Sequence, residues 1–305
     1  MKKKSKKIAL FFFSLLFLSC STTKKRPMKI TTVSDTADSR YENANAELLA
    51  LKFDRALSLF SQAYNMAYSV DDADLLCRIS LSGIAYKIAT GMLDAEKKKA
   101  GNFISDNSAE DILKDAKYFA TRSGREKMLV AVCSIYDVRL ALSRGKKNSK
   151  VYESELLAAQ KELEKEPFYL AHLYRTLGDV RMVSKDYNGA EEVYVKAAEL
   201  HTKNRYVGEI GTDWYGAARA RSLSGDKDGA LSFMEKALQF DRDSENTAAI
   251  ASDYYASAKI LAKSKPTVEE KKKARALSRW AASIYRAGGF EREAKECEDF
   301  ASSIK

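Results

Sequence analysis

Residues 173–200, LYRTLGDVRMVSKDYNGAEEVYVKAAEL, constrain the fold of this chain more than any other stretch. The small residues Gly178, Ala190 and Ala197 and the large residues Tyr174, Leu177, Tyr187 and Tyr194 recur at three- and four-residue steps, the spacing of one face of an α-helix. The stretch therefore reads as two amphipathic helices joined by a tight turn. The small residues stand where the helices cross closely and the large ones fill the space on either side. A bulky residue at Ala190 is expected to force the pair apart.

The spacing returns at a fixed interval. Trp214, Ala217, Ala218, Ala230, Met234 and Ala237 repeat it 40 residues on, and Tyr254 and Ala258 repeat it after 40 more. The step from the small residue of a first helix to the Ala of a second helix is 12 residues from Ala44 to Ala56, Gly83 to Ala95, Gly178 to Ala190 and Ala218 to Ala230. Fixed-period repetition marks an array in which each unit buries its apolar face on its neighbours.

The order of Tyr174, Leu177, Gly178, Tyr187, Ala190, Tyr194 and Ala197 resembles a tetratricopeptide repeat. Arg181 stands where that family has Tyr, and its stem is expected on the apolar surface with the charge outside. The resemblance implies an all-α fold, a solenoid of antiparallel helical hairpins. Phe290, Ala294, Cys297, Ala301 and Ile304 form one apolar stripe, expected as a C-terminal capping helix.

Before the repeats come five lysines by Lys7 and an apolar run from Ile8 to Leu18. That run is about half of the roughly 20 residues a spanning helix needs, and basic-then-apolar-then-small is the order of a secretory signal, residues 1–19. Ser19-Cys20-Ser21 resembles a bacterial lipobox, which implies a lipid on Cys20 and a membrane anchor. The other reading is an ordinary signal peptide cleaved nearby. Residues 20–38, rich in Ser, Thr and Lys, are expected as a disordered tether, and 39–305 as the repeat domain. Nine of the 52 basic residues and none of the 42 acidic ones precede residue 31. The net +10 is thus carried by the leader and tether, and the folded part has no nucleic-acid footprint.

Within the repeat domain the first hairpin is expected over 41–67. A second begins near Asp74 with Gly83, Tyr86 and Ala95, and Lys99 and Asn102 break its second helix. A helix at 103–124, started by Ser108 with Asp111 three residues on, reads as an insertion. A third hairpin covers 126–166 with its register open, and Pro167 starts the best repeat. Lys263 to Thr267 lengthen a later turn, and Thr267 with Glu270 forms a capping box.

No phosphate loop, nucleophile elbow or zinc-protease helix occurs, so no catalysis, cofactor or metal is expected. His172 and His201 stand at opposite ends of one hairpin without ligands at metal spacing. Cys77, Cys133 and Cys297 have no paired-cysteine spacing and read as small apolar residues. The lysine runs 97–99 and 271–273 read as solvated faces.

The tetratricopeptide resemblance implies a partner on the concave face, lined by first helices. Carried over, that face holds His172, Arg175, Asp179, Tyr215, Arg219, Tyr255 and Lys259, suited to a carboxylate or an acidic peptide. Two functions follow as expectations. One is a lipid-anchored scaffold of the bacterial cell envelope that binds a protein or peptide. The other is an accessory lipoprotein of a periplasmic solute-binding system, with an enclosed small-ligand cavity that residues 103–124 close.

Overall fold

The computed structural model describes residues 30–95, 101–263 and 265–304. Among them are fourteen α-helices, one 3-10 turn and no strand. In order they are α1 (Thr32–Leu49), α2 (Phe53–Ser69), α3 (Ala73–Thr90), α4 (Phe103–Asp106), α5 (Ala109–Arg122), α6 (Glu126–Ser143) and α7 (Ser149–Gln160). After the 3-10 turn Lys161–Leu163 come α8 (Pro167–Val183), α9 (Tyr187–Lys203), α10 (Val207–Ser224), α11 (Lys227–Asp243), α12 (Thr247–Ala262), α13 (Val268–Ala287) and α14 (Glu291–Ser303). They pair as six hairpins, α1/α2, α3/α5, α6/α7, α8/α9, α10/α11 and α12/α13, with α14 against α13.

Local chemistry sets the turns. Asp186 and Asp226, 40 residues apart, cap α9 and α11 by accepting from the backbone N–H of Gly189 and Gly229, the arrangement that fills an orphan donor at a helix start. A Cβ on either glycine would run into the capping carboxylate. Pro167 sits in the first turn of α8, where its missing N–H costs nothing. Thr267 and Glu270 form the expected reciprocal capping box at α13. Between helices the chain reverses through left-handed residues, Lys185 before α9 and Gly225 at the same place before α11.

The small residues of the repeat pack as expected: Ala190, Ala197, Ala218, Ala230, Ala237 and Ala258 are fully buried. One core cluster runs from Ala37 of α1 to Val193 of α9, and smaller clusters continue along α10 to α14. The three cysteines are buried free thiols.

Three expectations change. The helix at 109–122 is no insertion but the second helix of the second hairpin, packed along α3. Ala95, the supposed second-helix residue, is exposed and outside any helix. Instead the bare Cα of Gly83 faces the Ile104 side chain of α4. α3 ends at Gly91, whose backbone is left-handed (φ 73°), and beyond that stop the buried Lys87 Nζ donates to the carbonyls of Met92 (3.1 Å) and Asp94 (3.0 Å), holding the outgoing chain.

The expected tether reaches too far, since α1 begins at Thr32 with Ala37 buried and Asp38 paired to Arg78 at 2.8 Å. Nor does Arg181 hold its charge in water. Its guanidinium donates to Glu153 of α7 (2.7 and 3.0 Å) and to the Gly189 carbonyl (3.1 Å), and Arg221 repeats the pairing with Glu191. The leader, Cys20 and Lys97–Lys99 lie outside the described residues. No helix among those described is long and apolar enough to cross a membrane.

Candidate functional site

The first helices of four successive hairpins share one recurring position. Arg139 of α6, Asp179 of α8, Arg219 of α10 and Lys259 of α12 follow one another at 40-residue steps, so they hold one repeat position and form a ladder. Arg139 lies with its guanidinium carbon 4.9 Å from the Tyr136 ring centre. The Asp179 carboxylate accepts from the Tyr194 hydroxyl at 2.6 Å. Burial pushes this carboxyl up, while the Tyr194 hydrogen bond and then Arg139, Arg175 and Arg219 pull it down. Arg219 and Lys259 are exposed and have no carboxylate partner among the described residues. Lys259 Nζ stands 4.0 Å over the Tyr255 ring.

Other predicted residues are engaged inside the fold. Arg175 donates through Nε to Asp213 (2.6 Å), through Nη1 to the Glu209 carboxylate (2.7 Å) and through Nη2 to the Glu209 carbonyl (3.0 Å). The second Asp213 oxygen accepts from His201 Nδ1 at 2.6 Å. His172 lies 3.7 Å from Glu209 through Nε2 and packs on Phe168 and His201. Desolvation, with Arg175 close by, pushes the His172 imidazole well below the ordinary histidine range, so it is neutral.

This network ties α8, α9 and α10 together, and it withdraws His172 and Arg175 from any partner. Asp179 is likewise held by Tyr194. Tyr215 is half-buried between two core clusters. The Tyr255 hydroxyl donates to Glu296 of α14 (3.1 Å), and its ring meets Phe300 edge-on. Sequence reasoning missed Arg139, Glu209 and Asp213. Arg139 was findable as the residue 40 before Asp179, had the register of 126–166 been known.

Two further features bear on shape. Asn246, which caps α12, donates its side-chain amide to the Leu49 carbonyl at 3.3 Å, and Leu49 also sits beside Gly208 at the start of α10. The end of the first helix thus touches the fifth and sixth hairpins. A cleft of about 330 Å³ lies between α5 and α6, with Leu113, Leu140 and Ala141 as its apolar lining and Lys114, Arg144 and Lys146 among its cations. No group of three or more His, Cys, Asp or Glu among the described residues is arranged to hold a metal.

Solved structures with similar architecture decide the fold class. A Rap protein complexed with Competence and Sporulation Factor superposes with a TM-score of 0.56 at 17% identity, covering 85% of this chain and 68% of its own. Aspartyl phosphate phosphatase F from Bacillus subtilis gives 0.51 at 12% identity, covering 100% and 85%. A signal-transduction ATPase with a tetratricopeptide repeat sensor, from Pyrococcus horikoshii, gives 0.50 at 15% identity, covering 88% and 41%. The fold is a tetratricopeptide-type solenoid. No family model matches the sequence, and no curated protein matches it either. The fold assignment therefore rests on these structures together with the spacing and packing of the hairpins, of which α8 to α11 are the most regular.

Proposed function

We propose that this chain is a lipid-anchored, non-catalytic scaffold of the bacterial cell envelope, whose tetratricopeptide array holds a protein or peptide partner on its inner face. The supporting observation is the division of labour along that face. His172, Arg175 and Asp179 are spent on holding the repeats together, while Arg219 and Lys259 are exposed without a carboxylate partner among the described residues. Tyr215 and Tyr255 flank them one turn away. Such a set suits a carboxylate-bearing segment: a guanidinium offers paired donors, and tyrosine rings offer apolar area with a polar tip. The Rap neighbour, which is named as a complex with Competence and Sporulation Factor, lends the partner-binding reading its precedent. The membrane part rests on the Cys20 segment alone.

The test is a pull-down from detergent-solubilised envelopes, with residues 31–305 as bait beside the Arg219→Ala/Lys259→Ala variant. One protein retained by the parent and lost by the variant is the expected result. Retention that ignores the two changes removes the inner face from the reading. Because one neighbour is named a phosphatase, the bait is also assayed for release of phosphate from aspartyl phosphate, and turnover there ends the non-catalytic reading. For the anchor, Cys20→Ala is expected to move the protein from the membrane to the soluble fraction. Membrane retention of that variant would count against lipidation. The alternative, an accessory of a solute-binding system, has the cleft between α5 and α6 in its favour, and a bait that retains nothing directs attention there.

A further inference from the structure

The chain has two tryptophans. Trp214 is buried, whereas Trp280 of α13 is 54% exposed. One stripe of α13, with Ala274, Ser278, Ala281 and Tyr285, is buried where α12 and α14 pack on the helix. The other side is exposed from Val268 onward. Lys272 and Arg279, seven residues apart, form one row of it, and Lys273 and Trp280, again seven apart, form the row beside it. The small residues Ala276 and Ser283 lie on the same exposed side. No carboxylate pairs with Lys272, Lys273 or Arg279 among the described residues. The acids of α14 are taken up at the edge, Glu298 and Glu291 by Arg286 (2.8 and 3.7 Å) and Glu296 by the Tyr255 hydroxyl. Glu270 is held by Lys227 and the Thr267 cap, so Glu269 is the one exposed acid of α13.

From this arrangement we propose that the exposed face of α13 docks on an anionic lipid surface, laying Trp280 and the unpaired Lys272, Lys273 and Arg279 against its headgroups. A lone exposed apolar side chain means little, and it is the cations in the adjoining positions that give this one a context. A tryptophan ring has an apolar body and a polar N–H, which suits the headgroup level of a bilayer. Lysine and arginine lay their stems along such a boundary and direct their charge to the phosphates. Charge complementarity therefore selects an anionic surface. A protein interface would be centred on a cluster of large buried anchors, whereas Trp280 has only small and charged residues in its own and the adjoining row. The choice of a bilayer rests on the anchored reading given above, since a lipid on Cys20 keeps the chain beside one. A basic face and an acyl anchor together hold a protein to a membrane more firmly than either does alone.

The test uses residues 31–305, which contain the compact unit 33–305 and lack Cys20, in co-sedimentation with lipid vesicles. Binding is expected to vesicles of phosphatidylcholine mixed evenly with phosphatidylglycerol and not to phosphatidylcholine alone. Salt at about 1 M, where the screening length is about 3 Å, should release the protein. Lys272→Ala/Lys273→Ala should weaken partitioning about 25-fold, about fivefold for each cation. Lys147→Ala/Lys150→Ala removes the same charge elsewhere and should bind as the parent does. Vesicles should shift the parent's tryptophan fluorescence to the blue, and Trp280→Phe should lose that shift because Trp214 is buried. Equal thermal midpoints establish that the variants fold. Absence of binding, equal binding to both vesicles, or binding that ignores Lys272 and Lys273 overturns the proposal. So does a face that ignores vesicles and instead retains an acidic protein. Because the fragment has no Cys20, failure here leaves the anchored reading standing, and failure of the Cys20→Ala fractionation leaves vesicle binding standing.

Discussion

One joint between neighbouring repeats is filled by different chemistry at two places 40 residues apart. His201 and Asp213 meet there at 2.6 Å, and Arg175 completes the charge balance. At the next joint the same positions hold Asp241 and Asp253, and Tyr215 stands at the repeat position of Arg175. Both carboxyls are buried, at 3% and 1% exposure, and hydrogen bond each other. Asp253 Oδ2 has no partner. Desolvation, with Asp241 alongside, drives the Asp253 carboxyl far above the usual carboxylate range, so the pair shares a proton.

The unfolded chain surrenders that proton near pH 4, whereas the folded one keeps it. Stability from this pair is therefore full below about pH 4 and is lost as the pH rises into the alkaline range. Asp253→Asn should raise stability at pH 8 by on the order of 2 kcal/mol and leave pH 4 nearly unchanged. Thermal unfolding at the two pH values reads this directly, and an equal shift at both would refute the shared proton. Asp213 differs from Asp253 only in its neighbours, which is why composition says nothing about either.

At the scale of helices, Tyr194 of α9 explains why two glycines stand in the first helices of adjacent hairpins. Its ring lies between Gly178 of α8 and Gly216 of α10, and a Cβ on either would come within 2.7 Å of ring carbons. Something must shift, and the ring is held at its tip by Asp179. Gly216→Ala should cost about 2 kcal/mol despite the higher helix propensity of Ala, measured by urea unfolding. The Tyr194→Leu background removes the rigid ring, and a cost that persists there would show that the clash lies elsewhere. The Gly178 crossing was legible in the sequence because small residues at fixed steps leave no other packing. The second hairpin was not legible. Its 12-residue step from Gly83 to Ala95 is a coincidence of spacing, since the helix stops at the left-handed Gly91 before Ala95 and Lys87 holds the outgoing chain by two carbonyls. Gly91 is itself a sequence signal for a helix end, whereas the pairing of α3 with α5 is visible only in the packing.

At the scale of the molecule, the array turns far enough for its first helix to meet its fifth and sixth hairpins through Leu49, Gly208 and Asn246. Tyr41 of α1 belongs to the largest core cluster, and Tyr136 of α6 and Tyr169 of α8 pack against that same cluster. In a variant whose native cysteines are replaced by Ala, Leu49→Cys with Gly208→Cys should be joined by a short bismaleimide in the free protein. Failure to cross-link would mean the ends stand apart.

The sequence alone determined the all-α class, the 40-residue repeat and the small-residue crossings, because these follow from periodicities that each hairpin expresses by itself. It also carried most of the ladder, once one repeat was in register. Which inner-face residues are spent on the fold and which stay free was decided only by the tertiary structure. Arg175 and Arg219 lie on first helices at different repeat positions, and the neighbouring hairpin delivers Glu209 and Asp213 to Arg175, whereas Arg219 has no carboxylate partner among the described residues. Closure of the array was decided at the same level, since a small rotation per hairpin becomes a contact between ends only when six hairpins add together.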